Sequence, residues 1–249
     1  SASMTMRECP ACNTKQYLTV HGCLQYCQYC MTYSAVDRTT TVNYNSEYIA
    51  DRYSRYDTTA AMSDLRRRVI ETTIHLYETI PAGKHIVCQR GRLLDVGYGD
   101  GSFIRRMRQC GWKPFGNDIN PTKYDGVECV ELPTESLCEY ERYRVITFFD
   151  SLEHFDNLTE PKKIAKNTDW IFITVPRAPH WFLSERWKHR RPGEHHFYWW
   201  NPRSFEVIFS SKEVVAQLVY FDNPEDVIRG TLADGLPNTL TCALRCSKI

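Results

Sequence analysis

The sequence predicts an α/β fold built on an open, mainly parallel sheet, with a small metal-knuckle unit on its N-terminal side. Three observations carry this. The apolar run Leu93-Leu94-Asp95-Val96 enters Gly97, Gly99 and Gly101 and then a helical stretch. The β-branched and aromatic runs 143–149 and 169–176 read as buried strands spaced by helical segments. Two C-x2-C pairs, Cys9/Cys12 and Cys27/Cys30, stand ahead of all of them.

Residues 1–43 read as a zinc ribbon. Two thiolates two residues apart reach one ion from a tight knuckle, and two knuckles complete a closed tetrahedral site, so Cys9, Cys12, Cys27 and Cys30 are the expected ligands of a structural Zn2+. A unit of about 30 residues buries too little apolar surface to fold unaided, so the metal supplies its folding free energy. Chelation is expected to unfold residues 8–33 without touching the cleft directly. Cys23, inside the intervening hairpin, reads as a small buried hydrophobe.

Residues 44–84 read as a helical connector. Apolar positions Ile49, Tyr53, Tyr56, Ala60, Leu65, Val69 and Leu76 fit two helices broken near Thr58-Thr59, expected to lie over the cleft as a lid. Pro81-Ala82-Gly83 closes this region, and the sheet-bearing domain, 85–249, begins near His85.

The glycine turn is a ligand cradle, because residues without Cβ let backbone turn sharply and approach a bound molecule closely. Its spacing fits neither G-x-G-x-x-G nor the triphosphate loop. After a helix over 101–110, a second strand over 112–118 ends in Asp118, about 20 residues past the glycines, where a carboxylate accepts hydrogen bonds from ribose hydroxyls. Ile119 follows it. The strand over 143–149 ends at Phe149 and Asp150 and runs into Ser151-Leu152-Glu153-His154, which should line the cleft because ligands of parallel sheets sit beyond the strands' carboxyl ends. Asn201-Pro202 caps a short helix over 202–210, and 214–221 and 238–246 read as two final strands. The segment 121–127 leaves room for barely a turn of helix, and the aromatic-rich stretch 177–200 is assigned to the substrate.

These residues carry a resemblance. D-x-G-x-G-x-G at 95–101 resembles motif I of the class I S-adenosylmethionine-dependent methyltransferases, D-x-L-E-H at 150–154 their fourth-strand motif in one large group, and Val175-Pro176 the end of the fifth strand. The chain resembles the group that joins a C-x2-C…C-x2-C ribbon and a tyrosine-rich connector (Tyr44, Tyr48, Tyr53, Tyr56) to this domain, with Trp187-Lys188-His189 and Pro192-Gly193-Glu194-His195 as further matches. The resemblance extends to sugar C-methyltransferases, whose extra C-terminal domain is not expected here. The resemblance implies a Rossmann-like seven-stranded methyltransferase sheet and an S-adenosylmethionine site formed by Asp95, Gly97, Gly99, Gly101, Asp118, Ile119, Phe149 and Asp150. Tyr98 and Asp100 depart from the usual Cys and Thr or Ser, which would set a phenol beside the cofactor.

His154 and His195 are the candidate general bases, since imidazole titrates near neutrality, with Glu194 a partner for His195. The expected reaction is methyl transfer to a small molecule such as a sugar, nucleotide or modified base. A second reading has the ribbon and the basic run 188–191, among Trp181, Trp187, Trp199 and Trp200, guide RNA or DNA. A third is a non-catalytic interaction protein with a vestigial pocket, kept alive by Tyr98. The net charge of +1 over 249 residues argues against a general nucleic-acid footprint. Arg66-Arg67-Arg68 and Arg105-Arg106 read as solvated helix faces. There is no D-P-P-Y or N-P-P-Y motif and no Pro-Cys after the fourth strand, which excludes two modes of DNA base methylation. No run of ~20 apolar residues is present, so no membrane span is expected. Eleven cysteines, only four at metal spacing, suit a reducing cytoplasm. Ser1-Ala2-Ser3 reads as a cloning remnant, and no signal peptide is expected.

Overall fold

The computed structural model describes residues 3–38, 47, 59–78, 90–119, 128–129, 142–177, 196–230 and 238–249. The connector tyrosines, the Pro81 turn, the crossover at 121–127, His195 with Glu194, and the basic run 188–191 lie outside these.

Strands β5 (Arg92–Val96), β6 (Lys113–Asn117), β7 (Glu128–Cys129), β8 (Tyr143–Phe149), β9 (Thr168–Pro176), β11 (Val214–Asp222) and β12 (Thr239–Lys248) form a seven-stranded sheet in the order β11-β12-β9-β8-β5-β6-β7. The five strands from β9 to β7 are parallel, with Leu94 opposite Phe115 on one side and Ile146 on the other. β12 runs antiparallel between β9 and β11. β8 and β9 are nearly continuous apolar runs because both faces of the sheet are covered. Along β9, Trp170 and Phe172 pack on one face with Leu93, Val145 and Ala243, while Ile171, Ile173 and Val175 pack on the other with Leu94, Val96 and Phe148.

Helix α1 (Thr59–Glu78) and helix α2 (Ser102–Gln109) cover the first face. The buried stripe of α1 is Met62, Ile70, Thr73 and Ile74, whereas Ala60 and Leu76, expected inside, are exposed. Two buried indoles fix the helix: Trp112 Nε1 donates to Glu71 (3.1 Å) and Trp170 Nε1 to Glu78 (2.9 Å). Thus α1 is a layer of the domain rather than the expected lid.

The second face receives α3 (Thr159–Ala165), α4 (Ser204–Phe209) and the N-terminal unit. That unit is a meander of β1 (Ser3–Glu8), β2 (Lys15–His21), β3 (Leu24–Cys27) and β4 (Thr32–Ala35), and its sheet gains a fifth strand, β10 (Tyr198–Trp199), paired antiparallel with β4. Leu158 N donates to Pro10 O (3.3 Å), Lys162 Nζ to Cys12 O (3.0 Å) and Arg38 Nε to Asp156 O (2.8 Å). The N-terminal unit is thus bonded to residues 156–162 of the main domain and paired with residues 198–199. Helix α4 starts at Ser204 rather than Pro202, because Asn201 Oδ1 accepts from the amides of Arg203 and Ser204 and closes a turn first. Cys23, expected to be buried, is exposed at the β2–β3 turn.

Gly116 on β6 lies against the ring of Tyr98, where an added Cβ would come within 2.5 Å of Cδ1. Tyr98 is buried at 4% exposure. The phenol expected beside the cofactor thus fills the core under β6. Gly116→Ala is expected to cost about 1–3 kcal/mol of stability, as overpacking does, measured as a lower urea midpoint with an unchanged m-value.

Candidate active site

From β5 the chain passes to β6 and β7 on one side and then returns to β8 on the other. An open parallel sheet that reverses its strand order leaves a crevice at the strands' carboxyl ends. Gly97, at φ 81°, sits on its floor, and a Cβ there would meet Ser151 Cβ at 2.5 Å. The turn after β5 therefore rests directly on the turn after β8. Gly99 and Gly101 continue the loop at φ 55° and 71°. Gly97 N donates to Asn117 O (2.7 Å) and Gly99 N to Asp118 Oδ2 (2.9 Å), which fastens the glycine loop to the end of β6. Ile119, beside Asp118, is 81% exposed. Asp100 accepts from Ser102 N (3.0 Å) and the Ser102 hydroxyl, opening α2.

Asp95 is buried under this loop and accepts from the Thr147 hydroxyl (2.6 Å). Burial pushes its carboxyl up to about 7, with the Thr147 bond and Arg66 opposing. Phe149 commits its ring to the core, edge-on to Phe103 at 5.1 Å and roofed by the Arg66 guanidinium at 4.5 Å. Asp150, at φ 55°, is gripped by Arg66 (2.8 Å) and Arg229 (2.6 Å). Both arginines also bind Glu225, at the start of helix α5 (Glu225–Arg229), and Thr174 donates to the same carboxylate (3.0 Å). The two arginines hold Glu225 below the usual carboxylate range despite its burial.

Beyond Ser151, a 3-10 turn (Leu152–His154) presents Glu153, 1% exposed, and His154. His154 Nε2 lies 3.9 Å from Glu153 Oε1, and its ring centroid is 5.0 Å from that of His196. Phe197 N donates to Glu153 O (2.8 Å), and Phe197 O accepts from Ala35 N (2.8 Å), so one extended residue joins the turn to the ribbon sheet.

Residues 60–212, more than half of the chain, match the family of methyltransferase domains. The chain belongs to that family, and it is a methyltransferase. Among solved structures, it is similar to an S-adenosylmethionine-dependent methyltransferase from Archaeoglobus fulgidus, at 14% identity over 80% of this chain and 99% of that one, with a TM-score of 0.50. It is also similar to the plantazolicin methyltransferase BpumL in complex with S-adenosylhomocysteine (13% identity, 80% and 89% coverage, TM-score 0.51). At such identities the likeness speaks for the class I methyltransferase fold. A search of curated proteins finds no match.

In this methyltransferase the sulfurs of Cys9, Cys12, Cys27 and Cys30 lie within 4.8 Å of one another, all four residues buried. Cys9 and Cys30 are 3.7 Å apart, and Cys12 and Cys27 3.9 Å. A tetrahedral ion with bonds of about 2.3 Å sets its sulfurs about 3.8 Å apart, so the cluster has the dimensions of a closed zinc site. Hydrogen bonds from Cys27, Cys30 and Cys9 draw the Cys12 thiol far down, while the bond to Cys12 raises Cys9 and Cys30.

Sequence reasoning placed Asp95, Gly97, Gly99, Gly101, Asp118, Ile119, Phe149, Asp150 and His154 around one cleft, and the structure gathers them at the ends of β5, β6 and β8. It missed Arg66, Arg229 and Glu225. Arg66 was read as solvated, yet its side chain is only 14% exposed. The signal was present, because Arg66, Ile70 and Ile74 share one helix face at a spacing of four. Nothing local marks Glu225 or Arg229, which arrive from 75 residues beyond Asp150.

Asp95 sets a pH dependence. Between about pH 4 and 7 the native state keeps a proton that the unfolded chain has released, so stability falls as pH rises through this window. Asp95→Asn is expected to flatten that decline, read as urea unfolding free energy against pH.

Proposed function

We propose that the chain is an S-adenosylmethionine-dependent methyltransferase acting on a small molecule, of the class of a sugar, nucleotide or modified base. The observation that carries this reading is the switch-point cleft, whose glycine loop is bonded to a carboxylate at the end of the second strand. Asp118 is the residue to accept the ribose hydroxyls, and exposed Ile119 offers an apolar surface beside them. Gly97, Gly99 and Gly101 admit backbone close to the ligand, and Asp95 underlies the loop. The arginine-clamped Asp150 sets the wall at the end of β8. Bound there, S-adenosylmethionine supplies an electrophilic methyl group on a sulfonium.

His154 and His195 belong to the acceptor side. His154 lies on the turn that follows β8, and His195 directly precedes His196 in sequence. His195 is assigned to receive the acceptor's proton and His154 to orient the acceptor. Two of the four tryptophans invoked for a nucleic-acid groove, Trp199 and Trp200, are buried and unavailable for stacking on bases, which favours the small-molecule reading. Tyr98, turned into the core, no longer argues for a vestigial pocket. The four-cysteine cluster is assigned to a structural Zn2+.

Asp118→Ala is expected to abolish cofactor binding by calorimetry, whereas His195→Ala binds normally and loses turnover; full activity of the latter rejects its role. With radiolabelled methyl donor and a fractionated cell extract, label is expected in the small-molecule fraction and absent with Asp118→Ala. Nuclease-sensitive label would overturn the substrate class. Removing zinc with a strong chelator is expected to erase amide-exchange protection in β2–β4 and also at Phe197–Trp199; protection retained throughout would reject the structural-zinc assignment.

A further inference from the structure

We infer that Glu153, His154 and His196 form a second metal site, which holds one divalent first-row transition ion at the acceptor end of the cleft. One ligand atom from each of the three lies within 4.8 Å of the others, and His154 Nε2 lies 3.9 Å from Glu153 Oε1. An ion bonded at about 2.0–2.2 Å draws two ligands to about 3.0–3.5 Å, so closure asks for side-chain shifts below about an ångström. Two imidazoles and one carboxylate are a ligand set that suits zinc and iron, and three protein ligands leave coordination positions open.

The backbone holds the set in place. Glu153 and His154 share one 3-10 turn, His154 N donates to Ser151 O (3.0 Å), and Ser151 in turn abuts Gly97. His196 is placed by Phe197, whose amide is bonded to Glu153 O and whose carbonyl is bonded to the ribbon. Glu153 is 1% exposed and the two histidines are half-buried, so the carboxylate forms the inner side of the site and the imidazoles its outer side. Nitrogen and oxygen donors also separate this site from the all-sulfur cluster, which selects softer ions.

The open positions suit an oxygen of the acceptor. An ion there orients an acceptor hydroxyl and lowers its pKa, which eases the proton's transfer to the base assigned above. That role rests on the methyl-transfer reading above, and the site itself does not.

The test titrates Co2+ into full-length protein loaded with a single zinc equivalent per chain, without cofactor or acceptor, followed by calorimetry and visible absorption. One further equivalent per chain is expected, with d–d bands and no sulfur-to-cobalt charge transfer. Affinity should fall about tenfold or more in Glu153→Gln, His154→Ala and His196→Ala and stay unchanged in His75→Ala, a histidine on α1. No cobalt bound beyond the zinc site, or equal affinity in all the variants, would overturn the proposal. Should Glu153→Gln fail to fold, the two histidine variants, at partly exposed positions, decide it. Because nothing is read through turnover, a failure of the methyl-transfer reading remains distinguishable.

Discussion

The contact on which the cleft depends is that between the turn after β5 and the turn after β8. Ser151 Cβ occupies the space that a Cβ on Gly97 would need, so two loops 54 residues apart in sequence stack without a side chain between them. Only a glycine at positive φ accepts both the turn and the approach. From that contact the glycine loop is directed to Asp118 on one side, while Glu153 and His154 are presented on the other. A single close approach thus brings the glycine loop and the Leu152–His154 turn into register.

Charge fixes the third wall. Arg66 and Arg229 bridge Asp150 and Glu225 across α1, β8 and α5. The buried members of this network, Glu225 above all, keep their ionised forms only while each has its partners. The network is neutral in sum and ties the helical layer to the strand ends, which accounts for a helix that serves as a wall rather than a lid. It also explains how Asp150 holds a left-handed backbone conformation that a residue with a Cβ rarely adopts.

The N-terminal unit contributes to the site from behind. Strand β10 closes its sheet, and the residue before that strand is bonded both to Ala35 of the ribbon and to the carbonyl of Glu153. The knuckle cysteines lie in the same apolar cluster as Leu94, Phe148 and Ile173 of the main sheet. Packing of the four-cysteine knuckle and placement of the Leu152–His154 turn are consequently coupled.

What the sequence determined by itself was local. The period of the apolar runs marked β5, β8, β9 and β12 to within a few residues, the alternating glycines marked the turn after β5, Asp118 followed at the expected distance, and the paired cysteines announced a cluster of four sulfurs. Each is written in residues adjacent along the chain, where strand pattern and ligand spacing act. Tertiary structure decided what depends on partners far apart. Arg66 looks like one of three surface arginines until two acids meet it, Tyr98 looks like a cleft residue until Gly116 makes room for its ring, and Cys23 looks like core until the hairpin turns it outward. The ribbon looks self-contained until β10, nearly 200 residues along, completes its sheet. Local pattern reports which face of an element is apolar; only the packed chain determines which buried charge finds its counter-charge, and that choice shapes this cleft.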